Sequence, residues 1–229
     1  MCWREDHAEK AGVHEHHRVA DRGVPTDSRR ADGAGAGVGL RTGAGGPAPV
    51  RAPAGIARVG DRLPEVVLRD AGGLPVRLSK VLGAAAAIIV FYRGSWCPYC
   101  SIALKTYQRE LSPAVEAFGT RLLAISPQAP DSSVAAARDA GIHFALYADE
   151  GNTLAAHLGI VTTPSPESLR ARAALGVDVV GSNMDRTAAI PFPTVVVADA
   201  TGTIRLIDVR VDYTSRTETC DIIDALIAL

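Results

Sequence analysis

The sequence predicts an α/β fold: one mixed central sheet flanked by helices, with an N-terminal β-hairpin and a disordered tail ahead of it. Three observations carry this. From residue 86 strand-like and helix-like segments alternate, which implies a sheet covered by helices through right-handed crossovers. The run AAAAIIVFY, 84–92, is apolar without a break, as in a strand buried on both faces. Near the end, PFPTVVVADATGTIRLIDVRVD, 191–212, alternates around an Asp-Ala-Thr-Gly turn and reads as a hairpin, which makes the sheet mixed.

Residues 1–55 stand apart from a domain over 56–229. The stretch ADGAGAGVGLRTGAGGPAPVRAPAG has no apolar period and few large side chains, so burial cannot offset the entropy of ordering it. It is expected to be disordered, and its HEHH tract (His14, Glu15, His16, His17) to bind metal at most adventitiously. VVLRDAGGLPVRL then forms two short strands around an Asp-Ala-Gly-Gly turn, and LSKVLG a brief helical turn. After AAAAIIVFY a helix runs from about Pro98 to Phe118, with apolar Ile102, Leu104, Leu111, Val115 and Phe118. RLLAISP is a second buried strand. DSSVAAARDAG is a helix with an Asp or Ser N-cap and a Gly stop. FALYAD is a short strand and GNTLAAHLG a short helix, capped by Asp149 and Glu150. Residues 162–190 mix Pro, a helical piece and a loop, as an insertion shaping the substrate entrance. SRTETCDIIDALIAL closes the chain as a capped amphipathic helix with Ile222, Ile223, Leu226 and Ile227 on one stripe.

Bulk properties exclude some functions. A net charge of −1 gives no electrostatic case for nucleic acid or an anionic membrane. The apolar run beginning at Ala84 is far too short to span a bilayer. The polar N-terminus lacks the apolar core of a secretory signal. A cytoplasmic protein is expected, where a close cysteine pair is more often catalytic or metal-binding than structural.

Of the four cysteines, Cys97 and Cys100 form a CxxC in FYRGSWCPYC, Cys2 lies in the tail, and Cys220 reads as a small buried hydrophobe in the last helix. Cys97 sits where a buried strand meets a helix, with Pro98 at the first helical position. The helix N-terminus offers partial positive charge and free N–H groups, both favouring thiolate. One thiolate attacks a disulfide or a peroxide, and the second thiol resolves the mixed disulfide or sulfenic acid. A zinc site lacks a second CxxC, and His143 and His157 lie outside the motif. Accidental spacing of two core cysteines is the other alternative, which the strand–helix context weighs against.

From Gly60 onward the chain resembles the thioredoxin-fold superfamily, and within it a CxxC-containing branch of the peroxiredoxin-like (alkyl hydroperoxide reductase/thiol-specific antioxidant) family. VGDRLPEVVLRDAGG resembles the family's opening hairpin, FYRGSWCPYC its active-site segment, and PFPTVVVADATGTIRLIDVRVDYTSRTE its closing hairpin. The resemblance implies that Trp96 positions the attacking thiol. It implies that Pro193-Thr194 is the cis-proline and threonine facing the pair, with the Phe192 backbone free to bind a substrate strand. Pro98-Tyr99 is the inner dipeptide of glutaredoxins, which makes glutathione a conceivable reductant. Typical peroxiredoxins carry Pro-x-x-x-Thr-x-x-Cys and a later Arg. Here that Thr and Pro are missing in either register, and the Arg falls at Pro193. The register anchored on Phe91-Tyr92 puts Cys100 at the attacking position. Helix electrostatics favour Cys97, which is taken as the attacking thiol with Cys100 as resolver. Arg93 is a candidate cation near the sulfurs, against the alternative of a solvated side chain. Tyr99 is expected at the rim and Tyr92 in the core; Tyr213 and Arg216 read as capping or salt-bridge residues, with an active-site role implied by the resemblance alone.

The expected function is a peroxiredoxin-like peroxidase that reduces hydrogen peroxide or organic hydroperoxides without metal or organic cofactor. Thioredoxin, glutaredoxin or a low-molecular-weight thiol would recycle it, as monomer or homodimer. A general thiol–disulfide oxidoreductase and a non-enzymatic redox sensor are the alternatives.

Overall fold

The structure is a computed structural model that describes residues 55–229. The tail expected over 1–55, with Cys2 and the HEHH tract, lies outside the described residues save for Gly55. The hairpin comes first, as β1 (Val67–Arg69) and β2 (Pro75–Arg77), antiparallel. Its turn is held by Asp70, whose carboxylate accepts from the N–H groups of Gly72 and Leu74, both at 2.9 Å. Short α1 (Leu78–Leu82) leads to β3 (Ala87–Phe91), every residue of which is buried. Then follow α2 (Pro98–Ala117), β4 (Arg121–Ser126), α3 (Pro130–Ala140), β5 (Ala145–Ala148) and α4 (Thr153–His157). Residues 161–191 hold β6 (Val161–Thr162), α5 (Pro166–Ala174), α6 (Val179–Ser182) and β7 (Ile190–Pro191). The chain ends with β8 (Thr194–Ala198), β9 (Ile204–Val209) and α7 (Thr219–Ile227).

The seven-stranded sheet runs β2-β1-β5-β4-β3-β8-β9, with β3, β4 and β5 parallel and β8 antiparallel to β3. This is the mixed sheet expected, and the opening hairpin extends it at β5 through Arg69 and Ala148. β3 shows why its sequence carries no polar residue. Ile88 and Val90 face a core with α2, α3 and α7, whereas Ala87, Ile89 and Phe91 face a second core with α1 and α4. Both cysteines of the CxxC belong to the first core.

Several local details differ from expectation. The Asp or Ser cap of α3 is absent: Pro130 takes the helix start, the N-cap is Ala129, and Asp131 falls inside the first turn. Proline at that place removes an N–H that would otherwise need a partner. Gly141 does stop α3, in a left-handed conformation at φ 67°. Asp149 accepts from the N–H groups of Leu154 and Ala155, both at 3.0 Å, but Glu150 turns away to pair with Arg69 at 2.9 Å. On α7, Ile222, Ile223 and Leu226 are buried while Ile227 is exposed, no side chain caps the helix start, and Cys220 is half-buried rather than buried.

Candidate active site

β3 ends at Phe91, and the chain turns through residues 92–96 into α2. Cys97 is the N-cap residue of this 20-residue helix and Pro98 its first helical residue. The helix therefore directs its positive end and unpaired N–H groups at Cys97. Cys100 lies almost one turn on. Both thiols are free, and they are only 2% and 1% exposed.

The two sulfurs titrate as a pair. The Cys97 thiol is lowered to about 5, first because the Cys100 thiol donates to it, then through the Cys100 backbone N–H and the charges of Arg93 and Arg216, against burial. Cys100 is pushed up by holding that proton for Cys97 and by burial, with Arg216 pulling the other way. Cys97 is thus the thiolate of the pair and Cys100 its proton donor. Arg93 Nη1 lies 3.9 Å from Cys97 Sγ, and Arg216 Nη2 lies 3.1 Å from Cys100 Sγ.

Arg93 is 5% exposed, so the solvated alternative fails. Aromatic faces offset part of its lost hydration: its guanidinium stands 5.1 Å from the Trp96 ring centre and 4.7 Å from that of Tyr213. Tyr99 is exposed at the rim and meets Tyr213 edge-on at 5.9 Å. Tyr92 is buried, as expected.

The turn before Cys97 needs glycine. Gly94 has φ +144°, and a Cβ there would collide with the Trp96 indole nitrogen and stand 3.0 Å from Gln128 Oε1. Gln128 fixes the same turn from β4's end: its Oε1 accepts from Ser95 N–H at 2.6 Å and its Nε2 donates to Ser95 Oγ at 2.8 Å. Gly94→Ala is expected to lower stability by about 1–3 kcal/mol and to displace Trp96. Urea unfolding beside the rate of Cys97 alkylation checks both effects.

Arg216 and Tyr213 come from the loop between β9 and α7. Tyr107, buried in α2, donates its hydroxyl to the Thr217 carbonyl at 2.8 Å, and Thr219 Oγ1 donates to Glu110 at 2.9 Å. Arg216 Nη1 is held by the carbonyl of Tyr213 at 2.7 Å, which leaves Nη2 for Cys100. Tyr107→Phe leaves the Thr217 carbonyl without this partner and is expected to cost about 1–3 kcal/mol. The midpoint of urea unfolding should fall at unchanged m-value.

The expected cis-proline is corrected. No peptide bond among the described residues is cis, so Phe192–Pro193 is trans. The chain is extended on both sides of the bond and tied down: Phe192 N–H donates to the Ile160 carbonyl and Arg210 N–H to that of Pro193, both at 2.8 Å. The Phe192 carbonyl accepts from Thr194 Oγ1 at 2.9 Å. Phe192, Pro193 and Thr194 are all buried, and the Phe192 N–H is not free for a substrate strand. Among the described residues no group of three His, Cys, Asp or Glu side chains is placed to hold a metal, and no helix is long and apolar enough to cross a membrane.

Sequence reasoning missed Gln128 and Arg172, and pointed to an active-site role for Arg216 and Tyr213 through resemblance alone, beside a capping or salt-bridge reading. Arg172 belongs to α5 and stands 5.8 Å from the Trp96 ring centre. No local signal marks these residues, since each reaches the CxxC only through the folded chain.

The chain is similar in structure to the thiol peroxidase from Chromobacterium violaceum, at 17% identity and TM-score 0.60 over 78% of this chain and 90% of that one. It is similar to peroxidoxin BcpB from Mycobacterium tuberculosis, at 17% identity and TM-score 0.57 over 75% and 97%. A peroxiredoxin-like protein from Aquifex aeolicus matches at 13% identity and TM-score 0.59 over 76% and 88%. These likenesses show the thioredoxin-like fold. A search of curated proteins finds no match. The family model named AhpC/TSA matches residues 59–207, from the opening hairpin through the CxxC to β9, and the chain belongs to the AhpC/TSA family.

Proposed function

We propose that the protein is a thiol-dependent peroxidase in which Cys97 attacks and Cys100 resolves. The observation that carries this is the Cys97 sulfur itself: a thiolate at a helix N-terminus, 3.9 Å from the Arg93 guanidinium and 2% exposed. A sulfur so recessed admits a small peroxide more readily than a protein disulfide. In the first step an S–O bond forms at Cys97 as the O–O bond breaks. The departing alkoxide or hydroxide, its charge eased by the guanidiniums, takes a proton to become alcohol or water. Cys100 then attacks the Cys97 sulfenic acid, forming the Cys97–Cys100 disulfide and releasing water. Two reducing equivalents from thioredoxin, glutaredoxin or a low-molecular-weight thiol restore the dithiol, in a reducing compartment such as the cytoplasm. Trp96, Pro98, Tyr99 and Arg93 shape and polarise the site. Phe192, Pro193 and Thr194 support it as packed backbone.

The Trp-Cys and CxxC pattern also suits a thiol–disulfide oxidoreductase. Against that reading, Phe192 donates its N–H to the Ile160 carbonyl, so this group is not available to pair with a substrate chain. Turnover of hydrogen peroxide and an organic hydroperoxide with a thioredoxin recycling system, beside insulin reduction, decides between them. Peroxide turnover without insulin reduction is expected. The reverse would leave a disulfide reductase, and stoichiometric oxidation without turnover a sensor.

A further inference from the structure

Three guanidiniums gather around the CxxC and its tryptophan. Arg93 touches Cys97 and Arg216 touches Cys100. Arg172 stands over Trp96, near enough to Arg93 for the two charges to repel. Among the described residues, none of the three pairs with a carboxylate. Asp212 attracts Arg216 without forming an ion pair with it: the aspartate is exposed, and its Oδ1 accepts from the Thr214 N–H at 2.9 Å and hydroxyl at 2.8 Å. Ionising Cys97 cancels only one of the three charges. A buried guanidinium such as Arg93 without a carboxylate is costly, and a second and third cation beside it raise that cost. The cluster is accounted for if an anion sits there while the site works.

The positions say which part of the anion goes where. Arg93 and Arg216 act directly on the sulfurs. Arg172 meets the site only through Trp96 and Arg93, so it is placed for a group remote from the reacting atom. Its Nη1 is held by Ser168, through the carbonyl at 3.2 Å and the hydroxyl. These contacts restrain the guanidinium, which lowers the entropy lost on binding. The Trp96 ring is shared by the Arg93 and Arg172 guanidiniums, at 5.1 and 5.8 Å from its centre, and so links the remote charge to the one beside Cys97.

We propose that the site receives a small molecule carrying a carboxylate, with its reacting atom at Cys97 and its carboxylate at Arg172. The proposal rests on the peroxidase reading above. The molecule is either the hydroperoxide or the low-molecular-weight thiol. As hydroperoxide it gives one oxygen to Cys97 and leaves as the alcohol. As thiol, one thiolate opens the Cys97–Cys100 disulfide to a mixed disulfide, and a second releases the oxidised thiol and the enzyme dithiol.

Two alkylating probes test the site without peroxide chemistry: 6-maleimidohexanoic acid, whose carboxylate is remote from the reacting ring, and its neutral amide. The reduced protein is reacted with each in Cys100→Ser background, so that only Cys97 is read at the CxxC by peptide mass spectrometry. The ratio of the acid to the amide rate is expected to fall about three- to fivefold in Arg172→Gln. A change in Cys97 reactivity itself cancels in the ratio. Arg170→Gln removes the same charge from an exposed position of α5 and should leave the ratio in place. An unchanged ratio in Arg172→Gln, or an equal fall in Arg170→Gln, overturns the proposal. Steady-state arms then name the source. A rise in KM for a fatty-acid hydroperoxide but not for cumene hydroperoxide assigns the carboxylate to the oxidant. A rise for glutathione but not for dithiothreitol assigns it to the reductant, and no selective rise in either arm overturns the proposal. Absence of any hydrogen peroxide turnover in wild type would defeat the peroxidase reading separately, since the alkylation ratio does not depend on it.

Discussion

Cys97→Ser is expected to lower peroxide turnover by at least about a thousand-fold, since it removes the group whose attack every later step requires. Serine at a helix N-terminus keeps the geometry and can cap the helix, so the fold should persist and the stability lost at neutral pH should be only the part linked to the Cys97 thiolate. Cys100→Ser is expected to behave differently. It keeps the nucleophile and the Arg93 contact, so one equivalent of peroxide should still react and one oxygen should accumulate on Cys97. Recycling through an intramolecular disulfide then stops. Mass spectrometry of the oxidised peptide, after one equivalent of hydrogen peroxide, reads the two variants against each other. The mirror pattern, with sulfenic acid on Cys100 in Cys97→Ser, would reverse the order of attack and support the register anchored on Phe91-Tyr92. The geometry argues against that mirror: Cys97 stands at the N-cap, whereas Cys100 lies a turn inside with its N–H already bonded to the Cys97 carbonyl at 3.0 Å.

What the sequence discloses and what it conceals follow from the range of the forces involved. AAAAIIVFY announces β3 because a strand buried on both faces tolerates no polar residue, and each of its residues from 87 to 91 is indeed buried. The CxxC is equally local: its chemistry needs only a strand end, a helix start and three residues of spacing. Arg216 is different. It reaches Cys100 across 116 residues of chain, through an antiparallel strand pair and a loop pinned by Tyr107. No period or spacing near DYTSRTE encodes that meeting, so the residues alone suggest capping or a salt bridge, and only resemblance points to the active site. Gln128 and Arg172 are hidden for the same reason. β4 brings Gln128 to the Ser95 turn, and Gln128 pairs in turn with Asn183 of the segment that carries α5 and α6. The cis-proline expectation failed for another cause. It came from resemblance at Pro193-Thr194, and the partners that hold Phe192 and Pro193 extended, Ile160 and Arg210, lie 32 and 17 residues away in sequence.

The reaction of Cys97 should be flat across neutral pH and fall about tenfold per unit below about 5. The thiolate is the reacting form, and the group is lowered to about 5, so protonation removes it only in acid. An ordinary cysteine, with a value of about 8.5, would be only a few per cent ionised at pH 7. The comparison therefore carries an advantage of about thirty-fold in thiolate fraction at that pH. The Cys100 thiol is the first cause of the lowering, ahead of Arg93 and Arg216. Cys100→Ser keeps a hydroxyl donor there and should move the profile upward only partly, whereas Cys100→Ala should move it further. Arg93→Met should add a smaller upward shift, because the guanidinium is 3.9 Å away and itself partly neutralised by neighbouring rings. Iodoacetamide rates between pH 4 and pH 9 measure the order of these shifts. Stability should carry the same signature. The unfolded chain holds the Cys97 proton up to the ordinary thiol range, while the folded one releases it near 5. Unfolding free energy should therefore rise with pH between those limits, and that part of the stability should be lost as pH falls through about 5. In Cys97→Ser the rise should disappear. If wild type and Cys97→Ser gave the same stability profile over that window, Cys97 would not be the thiolate, and both the order of attack and the role of the helix N-terminus would have to be reversed.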